Sequence, residues 1–181
     1  MVQLISGVSK VKRNDIAADA VGLAALDESI AWALLGKTTL GGAAAAISVT
    51  GLAAASKLYF IADYVHTASV AAGITLNGDT GANYSGRWSC LAGSYVSGTS
   101  GGNSADLHSG SGTSGSLSFG IINNKAAQAK KWFHGTADNS ARSWVGSGFW
   151  NETANLISRI DLVSASNFTA GDTLSVWGCN P

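Results

Sequence analysis

The side chains of this 181-residue chain that could do chemistry are scattered rather than clustered. Asp63, Asp79, Asp138, Glu152 and Asp161 offer carboxylates for a pair of the kind that cleaves glycosidic bonds, one as acid and one as base or nucleophile. With eleven acids in the chain, chance supplies such candidates, and no spacing singles out a pair. Asp161 lies two residues from Arg159, which predicts a surface ion pair of modest worth. His66, His108 and His134 fall in three different segments, none at metal-pair spacing, so they read as ordinary strand or loop residues. Asn77-x-Asp79-x-Gly81-x-Asn83 has the spaced oxygens of a calcium loop, but Trp88 stands where the bidentate Glu belongs; a hydrogen-bonded turn is the better reading. No phosphate loop, nucleophile elbow or catalytic cysteine signature is expected. The expectation is a protein that is not an enzyme, with no metal and no cofactor.

Six tryptophans could form a sugar-stacking platform. Trp32, Trp144 and Trp150 alternate with small residues, however, which predicts core positions. Cys90 and Cys179 are too few for a disulfide framework; reduced thiols are expected, and a bridge requires neighbouring strands.

The elements that must position these groups read as strands. Leu58, Phe60, Ala62 and Tyr64 alternate with Lys57, Tyr59, Ile61, Asp63 and Val65, giving one apolar face and one mixed face. Asn77-Gly78 marks a reversal, because both residues tolerate positive φ. Further strand-like runs begin at Ile30, Ile47, Ile74, Arg87, Leu117, Lys131, Trp144, Leu156 and Thr173. Gly98 to Gly115, poor in apolar anchors, is predicted to be an outward loop carrying Asn103, Asp106 and His108. Short strands separated by turn residues, without βαβ alternation, predict an all-β antiparallel sandwich over residues 29–181.

Residues 1–28 differ. Lys10, Lys12 and Arg13 form a small basic knot ahead of an alanine-rich stretch. Asn14 or Asp15 is placed to cap a short helix with Ile16, Ala20 and Leu23 on one face, a helix too thin to stand alone in water. An extended or short-helical arm, ordered by packing on a partner, is expected.

Composition restricts the partners. Charged residues make up 12% of the chain, about half the ~25% of ordinary domains, and the formal net charge is zero. Such a surface lacks the clustered Lys and Arg of a nucleic-acid footprint. No apolar run approaches the ~20 residues of a membrane helix, and no signal peptide is visible. A neutral polar surface suits contact with another protein surface.

Thr38-Thr-Leu40, Ile47-Ser-Val-Thr50, Leu76-Asn-Gly-Asp-Thr-Gly-Ala-Asn-Tyr-Ser85 and Asn167-Phe-Thr-Ala-Gly-Asp-Thr-Leu-Ser-Val-Trp177 together resemble a group of tailed-bacteriophage virion proteins with a jelly-roll-like β-domain. The likeness spans roughly residues 34 to 178 and rests on turn and strand chemistry. Val11 to Val21 is similar to segments near the anchoring ends of phage fibres. The resemblance implies a homotrimeric virion structural protein, assembled in the host cytoplasm. Its first implied role is capsid decoration, as a cement or head-fibre protein, with Lys10, Lys12, Arg13, Asp15 and Ile16 docking on the major capsid protein. Its second is a tail-fibre or baseplate part that binds host carbohydrate.

Overall fold

The computed structural model describes residues 32–52, 55–65, 72–90, 96–107, 115–138 and 143–179. The arm of residues 1–28, with Lys10, Lys12, Arg13, Asp15 and Ile16, lies outside these, as do His66 and His108. The described residues form twelve strands and no helix: β1 (Ala33–Thr39), β2 (Ala44–Thr50), β3 (Lys57–Val65), β4 (Ala72–Leu76), β5 (Tyr84–Cys90), β6 (Val96–Gly102), β7 (Ala105–Asp106), β8 (Gly115–Asn123), β9 (Lys130–Asp138), β10 (Ser143–Trp150), β11 (Arg159–Phe168) and β12 (Thr173–Cys179). They build an eight-stranded sheet, β1-β12-β3-β8-β9-β10-β5-β6, and a four-stranded sheet, β2-β11-β4-β7. Every pairing is antiparallel, so the all-β architecture of two facing antiparallel sheets stands as expected.

Period-two alternation drives the packing. Leu58, Phe60, Ala62 and Tyr64 of β3 are all buried, and they meet Leu174 and Val176 of β12 and Ile47, Ile160, Leu162 and Phe168 around the smaller sheet. The inner face also admits polar groups, and three of its hydroxyls are joined in a chain. Tyr64 Oη shares a hydrogen bond with Ser118 Oγ (3.0 Å), Ser118 Oγ with Thr136 Oγ1 (2.9 Å), and Thr136 donates to the Leu107 carbonyl (2.8 Å). Such a chain satisfies three buried hydroxyls that would each cost free energy alone.

Alternation on β8 runs opposite to a simple hydrophobic reading. Ser116, Ser118, Gly120 and Ile122 face inward, while Leu117, Phe119 and Ile121 are turned to solvent. The cause is steric. A Cβ on Gly120 would lie 2.5 Å from the Phe60 ring and 2.7 Å from the Phe133 carbonyl, so the Phe60 ring occupies the space that a larger residue would need. The same device recurs where Trp132 lies over Gly86 and Gly148.

Several sequence expectations are corrected. The Gly98 to Gly115 stretch is not one long loop: residues 98–102 belong to β6, paired with β5, and β7 pairs with β4. Gly36 and Lys37, expected to close a strand begun at Ile30, sit inside β1, where the register shifts between Leu34 and Gly36. Trp144 and Trp150 are core residues as expected, but Trp32 is 44% exposed. Cys90 and Cys179 are free and buried. Their strands β5 and β12 stand five places apart in one sheet, about 24 Å at ~4.8 Å per strand, well beyond the ~7 Å reach of a bridge between Cα atoms.

Gly148→Ala drives a methyl group into the Ser85 carbonyl and the Trp132 ring. A loss of about 1–3 kcal/mol is expected, read by thermal circular dichroism as a fall of roughly 2–12 °C in Tm at ~2–4 °C per kcal/mol. Gly41→Ala, which meets nothing within 4 Å, leaves Tm unchanged.

Candidate binding face

The groups singled out for chemistry are distributed through the fold and engaged locally. Asp79 lies in the turn between β4 and β5. Asn77 (φ 55°) and Gly78 (φ 70°) form its centre, and Asp79 N–H donates to the Leu76 carbonyl at 3.0 Å. This is the Asn-Gly reversal expected from sequence, with both central residues in the left-handed region. The Asp79 carboxylate accepts from Trp150 Nε1 (2.6 Å), Gly81 N–H (2.7 Å) and Asn83 Nδ2 (2.9 Å). Its pKa is held below the ordinary carboxylate value, chiefly by the Trp150 donor; burial opposes the shift, and the Asn83 and Gly81 donors add to it. Tyr84 completes the unit: its hydroxyl accepts from Leu76 N–H (2.8 Å) and donates to the Asp79 carbonyl (3.1 Å), and its ring stacks on Trp150 at 6.3 Å. Burial pushes the Tyr84 phenol well above its usual range.

Asp161 is buried, unlike the surface partner expected from sequence. It takes Arg159 Nε at 2.6 Å, with Arg159 about half exposed, and also accepts from Ser48 and Thr75, its neighbours across β2 and β4. The Glu152 carboxylate accepts from Ala154 and Asn155 N–H groups, which lower its pKa, Ala154 most. Asp63 sits on the outer face of β3, in the other sheet from Asp161. Asp138 ends β9, with its side chain outside the described residues. Asp79 and Asp161 both lie near enough to Tyr84 to raise its pKa, and Asp79, Glu152 and Asp161 are each engaged in hydrogen bonds of their own.

His134 is a core histidine of β9, packed where a Cβ on Gly146 would overlap its ring. Among the described residues, no group of three His, Cys, Asp or Glu is placed to hold a metal ion. Gly98-Thr-Ser-Gly-Gly102 has the Gly-x-Ser-x-Gly spacing, contrary to the expectation that none occurs, yet it lies within strand β6 rather than at a strand-to-helix turn. Of the residues assigned to an outward loop, Asn103 is exposed between β6 and β7. Asp106 is half-buried in β7, where Ser104 Oγ donates to its carboxylate at 3.3 Å.

What the structure does bring together is the outer face of the large sheet. Leu117, Phe119 and Ile121 of β8, Phe133 of β9 and Phe149 of β10 are between 42% and 51% exposed. Register sets Ile121 opposite Phe133, and a Cβ on Gly135 would lie 2.8 Å from Phe119, so that ring lies flat across β9. The signal was present in the sequence as the alternation of β8, but only the burial of Ser118 and Gly120 shows which face is outside. Toward the β1 edge the face becomes aromatic. Tyr59 packs edge-on to Trp32 (6.0 Å) and tilted to Trp177 (5.7 Å), and these rings with Ile121 line a cleft of about 420 Å³. No protein-family model matches the chain, and no curated protein matches it.

Asp79→Asn is expected to lower Tm at neutral pH. A carboxylate whose folded pKa is depressed contributes stability above its unfolded value of 3.8, and that contribution is lost as pH falls through the folded value. The Tm gap between the parent protein and Asp79→Asn should therefore be full at pH 6 and close under strongly acid conditions, measured by thermal melts across the range; a gap that widens toward acid contradicts this account.

Proposed function

We propose that the protein is a non-enzymatic structural component of a tailed-phage particle, a capsid decoration protein of cement or head-fibre type. In this reading three copies pack through the outer face of the large sheet, while Lys10, Lys12, Arg13, Asp15 and Ile16 dock on the shell. The observation that carries it is the group of five large apolar side chains at the centre of that face.

Magnitudes support a sister copy as the covering surface. At nearly half exposure, five such side chains present on the order of 400 Å² of apolar area, within the range at which a patch is often functional. Covered against the same face of other copies, three patches remove on the order of 1,200 Å², about 30 kcal/mol at ~25 cal/mol per Å². Two association events oppose this by roughly 4–15 kcal/mol each. A polar partner would contribute no apolar area of its own, so one association would remove on the order of 400 Å² instead of the ~600 Å² per association in the trimer. The low charge of the surface favours the same arrangement, because neutral faces brought together do not repel.

The passage of consecutive strands between the two sheets, as in β1 to β2 to β3 to β4 to β5, supports the jelly-roll-like reading. The carboxylates held in turn and strand hydrogen bonds favour a structural over a catalytic role.

Phe119→Ser with Phe133→Ser is expected to convert the purified protein from trimer to monomer in sedimentation experiments, with far-ultraviolet circular dichroism unchanged. An unchanged assembly in this variant rejects the face as the contact. The particle assignment is tested separately by imaging decorated particles: replacing Lys10, Lys12 and Arg13 by Ala should abolish occupancy of the shell while leaving the trimer intact.

A further inference from the structure

We infer that the cleft of Trp32, Tyr59, Ile121 and Trp177 is a binding site for acidic pyranose oligosaccharides. Strand register places Trp177 opposite Tyr59 and Tyr59 opposite Ile121, so three of the four lining residues are set by adjoining strands, and the fourth, Trp32, immediately precedes β1. Its volume of about 420 Å³ falls within the range of small-ligand sites. Tyr59 meets Trp32 at 67° and Trp177 at 42°, which sets the three rings as an angled cradle rather than one closed stack. A sugar ring has an apolar C–H face and a hydroxylated rim, and an amphipathic aromatic surface with polar groups at its margin is complementary to both.

The margin also has a sign. Lys57 lies two residues from Tyr59 on the same face of β3, opposite Asn123 of β8. Lys37 of β1 stands opposite Ser175, two residues from Trp177. Each is therefore about 7 Å along the strand from the aromatic row. The acid on the described outer face of β1, β12, β3 and β8 is Asp63, four residues from Tyr59 and about 13 Å away. Two ammonium groups flank the cleft more closely than any carboxylate on these strands, so a saccharide bearing carboxylates is favoured over a neutral one.

The site does not rest on the virion assignment, although it shares Ile121 with the proposed contact face. It lies over β12 and β3, with Trp32 just ahead of β1, beside the apolar patch of β8 to β10, with Ile121 at the boundary. Apolar contact alone would equally suit a peptide side chain, and the test separates the two.

The full-length protein is applied to an array of uronic-acid, sialic-acid and neutral pyranose oligosaccharides, together with hydrophobic peptides, and the strongest ligand is titrated by calorimetry. Expected are retention of acidic members above neutral ones, a rise in Kd of at least tenfold in Trp177→Ala, and a severalfold rise in Lys37→Gln with Lys57→Gln that raised salt reproduces. Retention of peptides alone, no preference for acidic sugars, or undiminished binding in Trp177→Ala overturns the inference. Should Trp177→Ala fail to fold, the lysine variant decides: unaltered affinity there is equally fatal.

Discussion

Aromatic rings laid over strand glycines are the constraint on which this structure depends. Phe60 occupies the space above Gly120, Trp132 the space above Gly86 and Gly148, and Phe119 the space above Gly135. Glycine weakens a strand in isolation, since it adds backbone entropy to be lost and has no side chain to pack. Here the loss is offset because each glycine admits a ring against the backbone of its neighbour, giving contact that no side-chain pair at that spacing could reach. The arrangement propagates: Trp132 and Trp150 flank Tyr84, Tyr84 and Trp150 hold Asp79, and Asp79 shapes the turn that returns the chain from the small sheet to the large one.

This explains which parts of the fold were legible in the sequence. The alternation of Leu58 to Tyr64, the Asn77-Gly78 reversal and the inward Leu174 and Val176 are local properties, and local patterning read them correctly. The face of β8 was not local. Leu117, Phe119 and Ile121 form the more apolar set, yet Ser118 is drawn inward by Tyr64 and Thr136, and Gly120 by Phe60, all contributed by other strands. Strand β6 was equally hidden, because Val96 to Gly102 has almost no hydrophobic signal and is a strand through its pairing with β5. Trp32 was read as core from its small neighbours, a pattern that also fits the last aromatic before a sheet edge.

The candidate binding face was legible only as an accumulation of aromatic residues. Tyr59 and Trp177 are 118 positions apart and meet through the pairing of β3 with β12. Their strands were recognisable individually; their adjacency was not. The carboxylates illustrate the converse. Asp79 and Asp161 looked available for chemistry because their partners, Trp150 and Ser48, are remote in sequence, and the fold commits both to hydrogen bonds that organise turns and strands.

The pairing of the first strand with the last has a further consequence. Ala33 and Gly178 are register partners at one corner of the large sheet, so the start of β1 and the end of β12, the outer boundaries of these two strands, are adjacent. A short bridge could join them, and the backbone could be reopened at the exposed connection between β8 and β9, residues 125–128, yielding a circular permutant with every strand neighbour retained. The adjacency also means that a load on either boundary bears on the same β1–β12 ladder. Pulling both boundaries apart would strip that ladder bond by bond, starting at this corner, before the interior strands carried any force.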